Sequence, residues 1–315
     1  MQTSNRLHPK GAYCALEDLI ALRYQGRQLK LLQRKKALSL LAGPNKTNFR
    51  GRGIDFEEVR AYQPGDDIRT IDWRVTARSG NAHTKIFREE RERPVLIATD
   101  QRRGMFFGSQ MSFKSVTAAY TSAILAWSGL NSSDRVGGFI FNEERHREVR
   151  PKRSRQNVLT QLHHLCEFNG EINTAAQAGF DFTSMLADLR RISRPGTAIF
   201  LVSDFNGADT ESAKEQLYHL TRHIEVTAIH ISDKLEAQLP TAGRYSVSNG
   251  LQSTEMFTGD SDIQSRYEQS FTDRVAALKK QFGRLGVPFI QITTEDQPLT
   301  VLQRFYGKAN RRALR

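Results

Sequence analysis

Past residue 94, short apolar runs alternate with stretches of helical spacing. Val95 to Thr99, Arg135 to Phe141, Thr197 to Ser203, Glu225 to Ile231 and Val287 to Ile292 are continuous apolar runs. Runs of this length read as strands buried on both faces, as in a parallel sheet. Between them, Phe113, Val116, Tyr120, Ile124 and Trp127 share one helical face, with Ser112 as its N-cap. Residues 155–168, 183–192 and 211–223 read as three more helices. Ile263, Tyr267, Phe271, Val275, Leu278 and Phe282 make a last stripe, ending at Gly283 and Gly286. Strand and helix alternating at this spacing predict an α/β fold: a doubly wound, mostly parallel sheet with helices on both faces.

Before Pro94 the texture differs. Leu16, Leu19, Ile20 and Arg23, then Leu29, Leu32 and Lys36, follow helical spacing, so a helix is expected from Ala15 to Leu41, stopped by Gly43-Pro44. A basic glycine loop, Arg50-Gly51-Arg52-Gly53, comes next. Ile54 to Tyr62 and Ala82 to Arg88 read as strands, with turns at Gln63-Pro64-Gly65-Asp66 and Ser79-Gly80-Asn81. Two regions are expected: a basic extension at 1–93, made of a helix plus a β-hairpin-like segment, and an α/β domain at 94–315.

Charge sharpens that division. The chain of 315 residues carries a net charge of +12, and +8 of it lies in residues 1–93. Such a segment suits nucleic acid, anionic lipid or an acidic protein surface, or it is a solvated basic face. Two cysteines, Cys14 and Cys166, exclude a disulfide framework and favour a reducing compartment. No run approaches the ~20 apolar residues of a membrane span, and the first ten residues lack the apolar stretch of a signal peptide. The expectation is a soluble, cytoplasmic protein.

The sheet also points to candidate chemistry. Ligands of open parallel sheets bind beyond the carboxyl ends of the strands. Two predicted strands end in an aspartate, Asp100 and Asp204. Two carboxylates at one rim suit a divalent ion such as Mg²⁺ or two caps, while either alone reads rather as the cap of the next helix or turn. The segment from Pro64 to Trp73 sets Asp66, Asp67 and Asp72 against Arg69 and Arg74, with Ile71 and Trp73 as apolar anchors. It reads as an ordered structural loop or as a partner-contact surface. No P-loop, nucleophile elbow or zinc motif is present, which argues against an enzyme. His163 and His164 are neighbours on a predicted helix and project about 100° apart, so they are poor joint ligands.

The segment Gly51 to Arg74, with Phe87-Arg88-Glu89-Glu90-Arg91-Glu92-Arg93-Pro94 and the strand to Asp100, resembles the signature of the domain-of-unknown-function 58 family. The likeness is specific over about residues 50–108 and looser beyond. It implies a von Willebrand factor A-like domain with an N-terminal extension. It also implies a MoxR-type AAA+ ATPase as partner, in chaperone-like maturation or metal insertion. Von Willebrand A-type domains hold a divalent ion with an Asp-x-Ser-x-Ser run, a later Thr and a further Asp. By that resemblance the ligand positions fall on Asp100, Arg102, Gly104, Thr183 and Asp204. Both hydroxyl ligands are thus missing, and Arg102 stands where one belongs. The expected site is degenerate, with no cofactor or a weakly bound Mg²⁺, and with Arg102 as resident counter-charge.

The leading reading is a non-enzymatic adaptor that works with a MoxR-type ATPase on an unidentified client protein. Arg102, Asp66, Asp67, Arg69, Asp72 and Trp73 are its candidate partner-binding residues. The alternative is nucleic-acid binding through residues 30–36 and 50–60, although no recognisable reading module accompanies them. A metal-dependent hydrolase using Asp100 and Asp204 is the third reading. Peripheral membrane contact through the basic extension stays open.

Overall fold

The computed structural model describes residues 8–31, 54–64, 66–89, 93–171, 181–240, 242–248 and 253–307. Of these, residues 8–31 and 93–307 form one compact unit and residues 54–89 belong to a second.

The larger unit begins with two short helices, α1 (Leu16–Ala21) and α2 (Arg23–Gly26). The expected helix from Ala15 to Leu41 is therefore broken. Leu29 bridges to Gly307, and the Lys30 N–H donates to the Tyr306 carbonyl at 2.8 Å, so the chain leaves helical geometry after Gly26. Residues 32–50 lie outside the described set.

The smaller unit contains β1 (Ile54–Ala61), a 3₁₀ turn at Ile68–Thr70, α3 (Trp73–Ser79) and β2 (His83–Glu89). β1 and β2 pair antiparallel, with a bulge between Phe56 and Glu58. The expected strand pair is present, but the chain between the strands is helical where only a loop was read. The reason is local: Asp72 accepts from the Arg74 and Val75 N–H groups at 3.0 and 3.2 Å and so starts α3.

The sheet of the larger unit starts with β3 (Pro94–Asp100), followed by α4 (Lys114–Asn131), β4 (Arg135–Phe141), β5 (His146–Lys152) and α5 (Arg155–Asn169). Next come α6 (Phe182–Ile192), β6 (Ala198–Ser203), α7 (Glu211–Thr221), β7 (Glu225–Ser232) and the short α8 (Lys234–Ala237). A small antiparallel hairpin, β8 (Arg244–Ser248) and β9 (Ser253–Phe257), precedes α9 (Ser261–Arg284), β10 (Phe289–Thr293) and α10 (Pro298–Tyr306).

Six strands pair in the order β10-β7-β6-β3-β4-β5, all parallel except β5, which runs antiparallel along β4. The architecture is the expected α/β, mostly parallel sheet, consistent with a von Willebrand factor A-like fold. Alternation along β3 divides the core. Val95 and Ile97 pack with Ile124, Trp127, Leu162 and Leu302 on one face. Leu96 and Ala98 pack with Phe139, Leu186, Leu217 and Phe282 on the other.

The domain boundary differs from the expected one. Residues 8–31 are part of the α/β unit and not of a separate extension reaching to 93. Leu19 and Leu22 are fully buried in its core, which stabilises by roughly 1.5–3 kcal/mol for each such side chain. Trp127 Nε1 donates to the Leu19 carbonyl at 3.0 Å. Gly26 permits this docking, because a Cβ there would sit 2.7 Å from the Trp127 Cβ.

Candidate functional site: a carboxylate rim held by two internal cations

Asp100 is the last residue of β3, and Asp204 comes directly after the last residue of the neighbouring β6. Adjacent parallel strands ending together bring both carboxylates to one rim of the sheet, and Asp100 has no solvent exposure at all. A buried carboxylate is stable only if its charge and lone pairs are matched. For Asp100 the match is complete. Arg102 Nη2 donates to Oδ2 at 2.7 Å, Arg102 Nε to Oδ1 at 3.0 Å, the Arg102 backbone N–H to Oδ1 at 2.9 Å, and Ser203 Oγ to Oδ2 at 2.6 Å. The same guanidinium reaches Asp204 Oδ1 at 3.7 Å and donates through Nη1 to the Asn206 carbonyl at 3.1 Å. The rings of Phe141 and Phe182 flank it at 5.7 and 5.4 Å.

A second cation completes the rim. Lys114, in the first turn of α4, is 1% exposed. Its Nζ donates to Asp204 Oδ2 at 3.0 Å and to Glu236 Oε1 at 2.7 Å. Glu236 is fixed in turn by the capping box of α8, its Oε2 accepting from the Asp233 N–H at 3.0 Å. Burial by itself lowers the pKa of both cations. The facing carboxylates outweigh it, Asp100 for Arg102 and Asp204 for Lys114, so both groups sit above their ordinary values. Burial raises Asp204, and Lys114 and Arg102 outweigh that and hold it below the usual carboxylate range. The rim is thus a set of charged, mutually satisfied groups.

This arrangement does not fit a resident divalent ion. Mg²⁺ needs oxygen ligands with water on the remaining positions. Here the carboxylate oxygens that would face it accept from a guanidinium and an ammonium. Among the described residues, no group of three or more His, Cys, Asp or Glu side chains is placed to hold a metal. Gly104, at a position where the resemblance puts a serine, lies so close that a Cβ there would be 3.2 Å from Asp204 Oδ2. Thr183 is in the first turn of α6 and hydrogen-bonds none of the rim groups, while its neighbour Phe182 lies against Arg102.

The other sequence candidates lie in the smaller unit, each with a local role. Asp66 takes Arg60 Nη2 at 2.7 Å and the Gln63 N–H at 3.0 Å. Asp67 caps the 3₁₀ turn through the Arg69 N–H at 3.0 Å, and Asp72 caps α3 and faces Lys85 at 3.4 Å. Arg69 is exposed. Trp73 was expected as an apolar anchor, yet it is 68% exposed, with Ile68 at 65%. As the first residue of α3 it continues outward from the Asp72 cap, while Ile71, bridged to Thr84, takes the inner position.

Lys114, Glu236 and Ser203 carry no motif, and sequence reasoning passed over them. One signal was available: Lys114 is the sole charged residue of α4. His230 was also missed. It is buried on β7 with Nδ1 lacking a hydrogen-bond partner among the described residues, between the rings of Phe205 and Phe289. Burial lowers its pKa to about 4, against a smaller upward pull from Asp204.

Fold and rim together define a von Willebrand factor A-like α/β domain whose strand-end carboxylates are neutralised from within. The chain belongs to the family described as "Protein of unknown function DUF58", which matches residues 58–277. Among curated proteins it is similar to "Uncharacterized protein Rv1480" of Mycobacterium tuberculosis and "Uncharacterized protein Mb1516" of Mycobacterium bovis. Each is 25% identical over 291 residues, 91% of this chain and 90% of the relative. Among solved structures it is similar to the conserved hypothetical protein BatB from Bacteroides thetaiotaomicron, with a TM-score of 0.39, 12% identity, and 67% and 96% of the two chains covered. An aerotolerance-related membrane protein from Bacteroides fragilis gives a TM-score of 0.38 and 14% identity at the same coverage. Among the described residues, no helix is long and apolar enough to cross a membrane.

Proposed function

We propose that this protein is a non-enzymatic adaptor that works with a MoxR-type AAA+ ATPase on client proteins in the cytoplasm, with no metal at its strand-end rim. The observation that carries the reading is the pairing of Asp100 and Asp204 with Arg102 and Lys114. It engages both strand-end carboxylates with cations, which favours recognition over catalysis at this rim. The exposed Trp73 and Ile68 beside capped acidic turns supply a contact surface of the type that partner interfaces use. Co-purification with the MoxR-type ATPase, with and without nucleotide, tests the pairing. A complex weakened at least tenfold by Trp73→Ala is expected, and no complex under either condition overturns it. Calorimetric titration with Mg²⁺ and Mn²⁺ tests the rim. No micromolar binding is expected, and micromolar binding abolished by Asp204→Ala refutes the metal-free reading.

One observation favours nucleic acid as the second reading. Tyr24 is 55% exposed, with the guanidinium groups of Arg23 and Arg27 at 4.6 and 5.7 Å from its ring. Most of the basic residues first considered for this role, Arg34, Lys35, Lys36, Arg50 and Arg52, lie outside the described set. A strongly salt-dependent mobility shift supports this reading, and no shift at low ionic strength dismisses it.

A further inference from the structure

Away from the rim, the chain's two cysteines meet. They are 152 positions apart, yet Cys14 Sγ donates to Cys166 Sγ at 3.6 Å. Both are free, half-buried thiols packed against the core. Their backbones are held in place. The Cys14 N–H donates to Asn169 Oδ1 at 2.7 Å, and Asn169, itself buried on α5, donates to Gln101 and Ser115 at 3.3 and 3.1 Å. Upstream, Gly11 exchanges backbone hydrogen bonds with Met111 and Phe113, both at 2.9 Å. A disulfide needs its sulfurs about 2.05 Å apart, so the two must approach by roughly 1.5 Å.

We infer that Cys14 and Cys166 form a peroxide-responsive dithiol site whose oxidation fastens residues 8–31 covalently to α5. The pair is asymmetric. The hydrogen bond from Cys14 holds the Cys166 thiol below its ordinary range, and that same bond, with burial, holds Cys14 above. In the Sγ–Sγ hydrogen bond Cys166 is the accepting sulfur, so it is assigned as the attacking one and Cys14 as the resolving thiol. The Cys166 sulfur takes one oxygen of hydrogen peroxide as the O–O bond breaks, giving a sulfenic acid and releasing the other oxygen as water once protonated. Cys14 then attacks that sulfur. The S–O bond breaks, the S–S bond forms, and the second oxygen leaves as water with the Cys14 proton. Two thiols are oxidised by two electrons, and one peroxide is reduced to two waters.

Treating the full-length reduced protein with a small excess of hydrogen peroxide tests this. With only two cysteines present, an intramolecular disulfide can be no other pair. The expected result is a monomer lighter by two hydrogen atoms, resistant to thiol alkylation until reduced, with an unfolding midpoint higher by on the order of 5 °C. A disulfide-linked dimer, or two thiols still open to alkylation, overturns the site. An unchanged midpoint in the oxidised monomer overturns the fastening. A sulfenic-acid probe should label Cys166 in Cys14→Ser and leave Cys14 unlabelled in Cys166→Ser, and the reverse pattern overturns the assignment of the nucleophile.

Discussion

The rim and the turn before α3 use the same residue types to opposite ends. At the rim, aspartates meet an arginine and a lysine with almost no solvent between them. In the smaller unit, aspartates cap backbone turns near the surface, and Arg69 and Trp73 project outward. Buried charge pairs are costly to break, because the abandoned partner keeps its desolvation penalty. Exposed pairs are screened and contribute little, so their side chains are free to be used for recognition. An aspartate–arginine motif read from sequence thus carries opposite meanings, and burial decides which.

The largest expected effect tests the buried half of this contrast. Lys114→Met leaves Glu236 without its cation and Asp204 with Arg102 alone, and should destabilise the protein by about 3–5 kcal/mol in urea unfolding. A loss below about 1 kcal/mol would place the rim in the same class as the surface turns.

Next comes the pH dependence of His230. Its pKa is lowered to about 4 in the folded protein, against about 6.5 when unfolded. Above the unfolded value neither state is protonated, and the contribution is complete. As pH falls from 6.5 to 4, only the unfolded chain takes the proton, and about 3 kcal/mol is lost before the curve flattens. His230→Phe, which keeps a ring between Phe205 and Phe289, should remove that slope from stability measured between pH 7 and pH 4.

A smaller loss is expected for Arg102→Lys, about 1–3 kcal/mol, since an ammonium cannot reproduce the forked contact to Asp100. The smallest is Trp73→Ala. With the ring in solvent, stability should stay within about 0.5 kcal/mol while affinity for the proposed MoxR-type ATPase partner falls. Strong destabilisation by this change would make the indole an anchor after all.

The parallel core was legible because β3, β4, β6 and β7 are buried on both faces and show as unbroken apolar runs. β5 was not, since it is an edge strand with one buried residue, Val149, in an otherwise mostly polar stretch. Asp100 and Asp204 were legible as strand-end carboxylates. Lys114 was hidden because hydrophobic periodicity ignores the one residue of α4 that is charged and buried. The long N-terminal helix failed for a nonlocal reason: its amphipathic spacing is satisfied by two short turns, and contacts with Trp127 and Tyr306 set where they end.

Those same contacts bear on how the polypeptide is made. Leu19 docks on Trp127, and Lys30 bonds to Tyr306, so this segment finds its last partner only after some 270 further residues have been synthesised. Leu19 waits 108 residues for Trp127 and Leu29 the full interval for Gly307, and nascent-chain aggregation or holdase binding should concentrate on this segment until then.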